Sequence, residues 1–446
     1  MSDGDAGPAH RLARRLAAAV CLVVLLGMLL LPGRWYLLSW LPFAAGVWLV
    51  PRVDRRAALV LVVLGGVLLP LAAALQGPPN SSDDVYRYVW DGRVQLAGID
   101  PYRHPPAAPE LVPLRDRTLW TPQGHWCVPD GCTLINRPTV PTIYPPVAEA
   151  LFAAVAPTGG RERPLQLTMA AFAAAVAVLL WTALSRLGRD PRRAVLWAWC
   201  PLVALEAGNN AHVDVVAVAL AALAVWLLAG DRPVSGGTIF GLAIATKIIP
   251  VLLAPALLRR RPIAVALSAA GAVATVYLPH VLVVGPAVLG YLPGYLHEEG
   301  YGNGTRFALL DAALPGRVTA PVAALLLAAT AVLVWRRTDP DRPWRAAAVM
   351  VLVTLLVTTP SYPWYALLLV MLVAYGAPAE WLAVAAAAYP PQFAAGLGVS
   401  TGTAQRAAYG LALAVVLTGL LLRRAAAIRA PRPAHVSGLR NAVPRR

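Results

Sequence analysis

The sequence predicts an all-α polytopic membrane protein of about twelve transmembrane helices, within a range of about 11 to 14, and three observations carry that prediction. The 446 residues are 58% hydrophobic and only 13% charged, with a mean hydropathy of +0.62, a composition foreign to ordinary water-soluble domains. Apolar runs recur along almost the whole length, and roughly 20 such residues are what a helix needs to cross the hydrocarbon core. In lipid, the backbone polar groups must be satisfied within the helix itself. The arginines fall in short clusters between the runs: Arg11, Arg14 and Arg15; Arg52, Arg55 and Arg56; Arg186, Arg189, Arg192 and Arg193; Arg259 to Arg261; Arg336, Arg337, Arg342 and Arg345; Arg423, Arg424 and Arg429. That is the positive-inside distribution. The formal charge of +16 therefore marks cytoplasmic loops and excludes a nucleic-acid groove. Lys247 is the only lysine, and the Arg-, Ala-, Pro- and Gly-rich usage reads as GC-biased coding, as in bacteria.

In chain order, spans are expected at about 15–32, 35–50, 57–75, 165–187, 194–207, 213–230, 262–284, 318–335, 344–358, 362–376, 379–396 and 405–423, with both termini cytoplasmic. The first is read as a true span, since Pro32, Gly33 and Arg34 offer no small-residue cleavage site for a signal peptide. Two segments do not fit as simple crossings. If Val234 to Leu258 crossed once, the cluster Arg259 to Arg261 would lie outside while every other cluster lies inside. A re-entrant pair of half-helices broken near Thr246 to Pro250 keeps all clusters on one side. Tyr144 to Val155, short and opened by Pro145 and Pro146, is expected to dip into the outer half of the membrane and return.

This divides the chain into three transmembrane helices at 1–75, a long external loop with an acidic motif and a re-entrant segment at 76–164, the remaining bundle at 165–423 and a basic cytoplasmic tail at 424–446. The polar segments 76–143, Gly208 to Asp214, 285–317 and Thr358 to Trp364 then share the outer side. Non-helical backbone at membrane depth is tolerated only where it is buried or lines a cavity, so these segments are expected to converge on a working face.

The segment from Ser81 to Gln95 reads as an amphipathic helix lying in the interface. Asp84, Tyr88, Asp91 and Gln95 share one stripe at helical spacing, and Val85, Val89 and Leu96 another. Ser81 or Ser82 is a good N-cap, and Asp83 and Asp84 fall in the first turn, where the helix dipole favours them. Capping, with an ion-pair ladder from Asp83 to Arg87 to Asp91, is one account of these charges. A catalytic carboxylate is the other. Adjacent helical residues point about 100° apart, so the two carboxylates are not expected to face one substrate.

The run from Asp83 to Arg93 (DDVYRYVWDGR), then Gly98 to Tyr102 (GIDPY), Ile135 to Pro138 (INRP) and Thr142 to Pro146 (TIYPP) resembles bacterial polyprenol-phosphate-sugar-dependent glycosyltransferases of the GT-C architecture. It is most similar to actinobacterial mannosyltransferases of family 87 and related families, and the likeness covers roughly residues 80–150. The resemblance implies a GT-C-like bundle in which an acidic residue opening the first external loop deprotonates an acceptor hydroxyl. That hydroxyl attacks the anomeric carbon of a lipid-phosphate sugar. Asp83 or Asp84 is implied for that role. General-base help by a positioned carboxylate contributes roughly 10² to 10⁴ in rate, and the phosphate leaving group calls for cationic or hydrogen-bonding partners. Arg87, Arg93, Arg103 and Arg137 are the arginines near the motif that depart from the positive-inside pattern.

Other candidates flank the later spans. Asn209, Asn210, His212 and Asp214 open a span from its outer end, where an ionisable residue is a functional candidate; an Asn cap is the plainer reading. His212 and Asp214 do not share a helical face, which argues against a metal. Lys247 sits beside the predicted break at Pro250, suited to a lipid phosphate or to snorkelling. Tyr144 joins the substrate-binding candidates. His297, Glu298, Glu299, Tyr301, Asn303 and Arg306 form a polar cluster among glycines, and Pro360 to Tyr365 carries aromatic rings suited to an interfacial belt or to sugar stacking. Cys21 and Cys200 lie in spans; Cys127 and Cys132, in an oxidising compartment, are a disulfide candidate closing a ring that stabilises the loop by roughly 2 kcal/mol.

The leading expectation is therefore a plasma-membrane enzyme, working on its external face, that moves a sugar, mannose by resemblance, from a polyprenyl-phosphate donor to a glycan or glycolipid acceptor. No cofactor, metal or nucleic acid is expected; membrane lipids are. The alternative is a multi-pass transporter or lipid-linked-sugar flippase, although paired broken helices, the mark of inverted repeats, are lacking. A scaffold or polymer-ligating protein leaves the loop motif unaccounted for.

Overall fold

A computed structural model describes residues 7–31, 35–301, 306–394, 396 and 398–429. Asn303, Pro32 to Arg34 and the tail beyond Arg429 lie outside the described residues. The fold is an all-α membrane bundle. Among the described residues, six segments are long and apolar enough to cross a bilayer: Pro8–Leu30, Arg55–Leu75, Glu162–Arg186, Pro262–Glu298, Gly316–Arg337 and Thr401–Arg429. Leu, Val and Ala fill them, and Asp54 caps the second by accepting from the Ala57 N–H at 3.1 Å, worth about 1 kcal/mol. The last helix runs through Arg423 and Arg424 to Arg429, so the predicted tail begins as helix.

Several predicted spans are shorter or broken. The 35–50 span is Trp35–Leu38 followed by Trp40–Leu49. The 194–207 span is assembled from Val195–Ala198, Pro201–Val203 and a π-helical turn Ala204–Asn209. Pro201 interrupts the ladder there, and π-turns of this kind gather at functional sites. The 362–376 span opens as a 3₁₀ turn, Pro363–Ala366, before Leu367–Tyr375, and the 379–396 span is likewise split by Pro390 and Pro391 into Leu382–Ala386 and Pro390–Phe393. Proline sits at the breaks of the last three, while the 35–50 span breaks at Ser39. The interior is tightly filled: every residue of Leu367–Tyr375 is buried, as are Trp197, Trp199 and Trp344.

The arginine clusters meet at one end of the bundle. Arg15 pairs with Asp54, Arg55 reaches Ser185, Arg192 reaches the Val53 carbonyl, and Arg193 reaches the carbonyls of Val373 and Ala377. Arg423 pairs with Glu380. Arg260 contacts both Asp231, at 3.4 Å, and Asp341, at 3.0 Å. The Asp231 contact has a topological consequence. Helix Pro233–Ile244 leaves this end, stops at Ala245 short of Lys247, and returns through Ile249–Leu253 and Ala254–Leu257 to the same end. The segment is a broken hairpin, with Lys247 at its tip.

The first long loop packs on the opposite end. Its helix Asp84–Leu96 lies against Pro146–Val155 so closely that a Cβ on Gly92 would collide with the Phe152 carbonyl. Tyr88 stacks on Phe152 with centroids 4.3 Å apart and meets Tyr144 edge-on at 4.8 Å, both favourable ring geometries. His280, on Pro262–Val284, ties that helix to the loop through Asp100 at 2.7 Å.

Candidate active site

The acidic motif begins one residue earlier than a helix-stripe reading supposes. The helix starts at Asp84, whose N–H donates to Ser82 Oγ at 3.2 Å, while Asp83 is the N-cap residue with φ −104° and ψ 5° and makes no capping bond. Standing outside the helix, Asp83 is free of the 100° rule. The expectation that the pair must diverge is overturned: the Asn136 side-chain amide donates to Asp83 Oδ1 at 3.1 Å and to Asp84 Oδ1 at 2.6 Å, and both carboxylates line one cavity of 590 Å³. Asp83 Oδ2 also accepts from Trp126 Nε1 at 2.6 Å. Burial pushes the Asp83 carboxyl above the ordinary carboxylate value, the Trp126 bond opposing and the Asp84 charge reinforcing that rise.

The rest of the stripe is not the wet face it seemed. Tyr88 and Asp91 are buried and stand away from the cavity lining. The ladder from Asp83 to Arg87 does not form. Arg87 instead holds Asp91 through Nε, at 2.9 and 3.1 Å to its two oxygens, and donates to the carbonyls of Arg137 and Val140. Glu149, absent from the sequence candidates, joins this buried network by accepting from Thr142 Oγ1 at 2.8 Å and Gln95 Nε2 at 2.9 Å. Arg93, unlike Arg87, does not line the cavity: it pairs with Asp116 at 2.8 Å and packs on Trp90. Arg103 is exposed and does not line the cavity.

Cations do reach the cavity. Lys247 lines it and lies 3.2 Å from Asp214 Oδ2 and 5.0 Å from the Tyr144 ring centroid. Arg137 lines it too, clasped by Glu298 through two nitrogens, and Arg306 is paired with Glu299. Tyr144, Tyr295, Tyr301, Tyr362, Trp364 and Tyr365 supply ring faces, and Ile248, Val251 and Leu252 an apolar flank. Ile248 and Val251 are 42% and 44% exposed in a region the sequence places in the membrane. The 358–364 turn is thus a cavity wall as well as a belt of aromatic rings.

A family comparison fits this geometry. A model of glycosyltransferase family 87 matches residues 142–360. Comparison with curated proteins and with solved structures finds no match. The match takes in Tyr144, His212, Asp214, Lys247 and Arg306, and begins after Asp83, Asp84 and Asn136.

In this membrane glycosyltransferase His212 and Asp214, though on different faces, are both drawn to the site. His212 is buried, stacks on Trp364 with centroids 3.8 Å apart, and stands 3.6 Å from Asp84 Oδ2 and 3.4 Å from Glu206 Oε2. Asn209 and Asn210 do not cap the following helix; their side-chain carbonyls accept from the N–H groups of Asn80 and Ser81, fixing the chain just before the acidic pair. Cys127 and Cys132 are disulfide-bonded. Trp126 escaped the candidates although it adjoins Cys127, and Asn136, seen only as part of a motif, has two carboxylates as partners.

Proposed function

We propose that this glycosyltransferase is an inverting hexosyltransferase that moves mannose from a polyprenyl-phosphate donor to an external glycan or glycolipid acceptor. It would do so from the outer face of a bacterial plasma membrane. The observation that supports this best is one cavity holding paired carboxylates, a lysine, aromatic rings and an apolar flank partly open to the surroundings. An amphiphilic donor has a use for each. Its prenyl chain suits Ile248 and Val251, its phosphate suits Lys247, and its sugar suits the rings beside Asp84.

Asp84 is the better base. Asp83 already receives a donor on each oxygen, whereas the hydrogen bond from Asn136 falls on Oδ1 of Asp84. In the reaction Asp84 takes the acceptor hydroxyl proton, the acceptor oxygen bonds to the anomeric carbon from the face opposite the phosphate, and the carbon–oxygen bond to phosphate breaks. The electron pair leaves with the lipid phosphate, whose charge Lys247 meets. No observation favours the transporter alternative, and the family match favours transfer. The test is to replace each aspartate by asparagine in purified protein supplied with radiolabelled polyprenyl-phosphate mannose and native membrane acceptors. Asp84→Asn should fall by roughly 10² to 10⁴; full transfer by both single variants sinks the reading.

A further inference from the structure

The two side chains that hold the carboxylates come from one short hairpin. Trp126–Val128 pairs antiparallel with Gly131–Thr133, Cys127 opposite Cys132, and the disulfide closes that rung. Trp126 opens the first strand and donates to Asp83; Asn136 stands three residues past the second and donates to both Asp83 and Asp84. The hairpin base is pinned to the preceding chain, with Thr121 N–H donating to the Cys132 carbonyl at 3.0 Å, Leu134 N–H to the Leu119 carbonyl at 2.8 Å, and Thr133 Oγ1 to that same carbonyl at 2.8 Å. A Cβ on Gly124 would run into the Thr133 backbone, so the crossing is tight. A two-stranded ribbon this short is marginal in water by itself, and a covalent rung is the device that keeps such a ribbon formed.

We infer that the disulfide-closed hairpin is a positioning element for the transfer reaction, with Trp126 and Asn136 as positioning residues that orient Asp83 and Asp84. This rests on the proposed role of Asp84 as base. Both donors favour an ionised carboxylate, Asn136 at the proposed base Asp84 and at Asp83, Trp126 at Asp83 alone. Trp126→Phe keeps the ring and removes the N–H. It should slow transfer roughly tenfold, the loss of one charge-assisted hydrogen bond, shift the acid limb of the rate profile to lower pH because an Asp83 that keeps its proton longer no longer repels the Asp84 charge, and leave the KM for donor unchanged.

The experiment uses the full-length protein in nanodiscs, labelled with 5-fluorotryptophan. The fluorine resonance of Trp126, identified by its absence in Trp126→Phe, should titrate in acid with Asp83, lose that titration in Asp83→Asn, and lose it again when dithiothreitol reduces the folded protein. Transfer from radiolabelled polyprenyl-phosphate mannose to native membrane acceptors should fall in the reduced protein to the level of Trp126→Phe. A resonance indifferent to reduction, or a wild-type rate and pH profile in Trp126→Phe, overturns the inference. Should Asp84→Asn keep full transfer, the functional reading falls, while the fluorine titration still decides whether the hairpin holds the carboxylates.

Discussion

Lys247 Nζ lies 3.2 Å from Asp214 Oδ2, so the only lysine of the chain, at the tip of a broken hairpin, is ion-paired at the cavity wall. Asp214 is buried, and a buried carboxylate left without its cation is costly. Lys247→Gln is expected to raise the KM for a polyprenyl-phosphate donor about tenfold, the loss of a charge-assisted contact. Lys247→Gln combined with Asp214→Asn should recover the stability of the fold but not donor affinity. Thermal unfolding and donor kinetics on the same preparations separate the two effects.

Arg87 is the cation of a buried network that joins Asp91 to the backbone of residues 137–140. Removing one member of such a network strands a charge, at about 3–5 kcal/mol. Arg87→Met should therefore lower the unfolding midpoint in denaturant, whereas Arg103→Met, at an exposed site off the cavity, should leave it unchanged.

Burial raises the Asp83 carboxyl above its ordinary value, ahead of the opposing bond from Trp126. A group with a raised value keeps its proton to higher pH, so Asp83 becomes neutral before a solvated aspartate would as the solution is acidified. Once it is neutral, Asp83 no longer repels the charge on Asp84 and its oxygens accept more weakly from Trp126. The acid limb of the rate profile should therefore move toward lower pH in Asp83→Asn relative to wild type. Measuring kcat against pH for both proteins checks the direction.

Arg137 and Glu298 join the first loop to the segment that follows Pro262–Val284. Arg137→Glu should open this clasp, and Arg137→Glu with Glu298→Arg should restore it. Spin labels on exposed loop positions, read as an inter-loop distance, report both.

Much of this was legible in the sequence because hydropathy and arginine placement are direct records of the bilayer. The hairpin at 233–257 follows from asking where Arg259 to Arg261 must lie, and Asp231 meeting Arg260 has that topology. The acidic pair and Lys247 were legible as chemistry. Less legible was anything set by burial. A stripe analysis assigns Tyr88 and Asp91 to a wet face because it assumes one solvent-exposed side, yet Pro146–Val155 covers it. Asp83 and Asp84 converge because one caps the helix that the other begins, a difference of a single residue in the helix start. Trp126 and Asn136 come within reach of Asp83 through a hairpin register that no local period encodes.

The hairpin that carries Lys247 behaves as a ruler. Both of its ends are moored where Asp231 meets Arg260, and its first arm is the helix Pro233–Ile244, so the depth of the ammonium is set by arm length at about 1.5 Å per helical residue. Adding or deleting a residue in that arm would move the cation along the bundle axis while leaving Asp83 and Asp84, which hang from a different loop, where they are. Reach between charge and carboxylate is in this way an adjustable dimension of the fold, written in residue number and separate from side-chain identity.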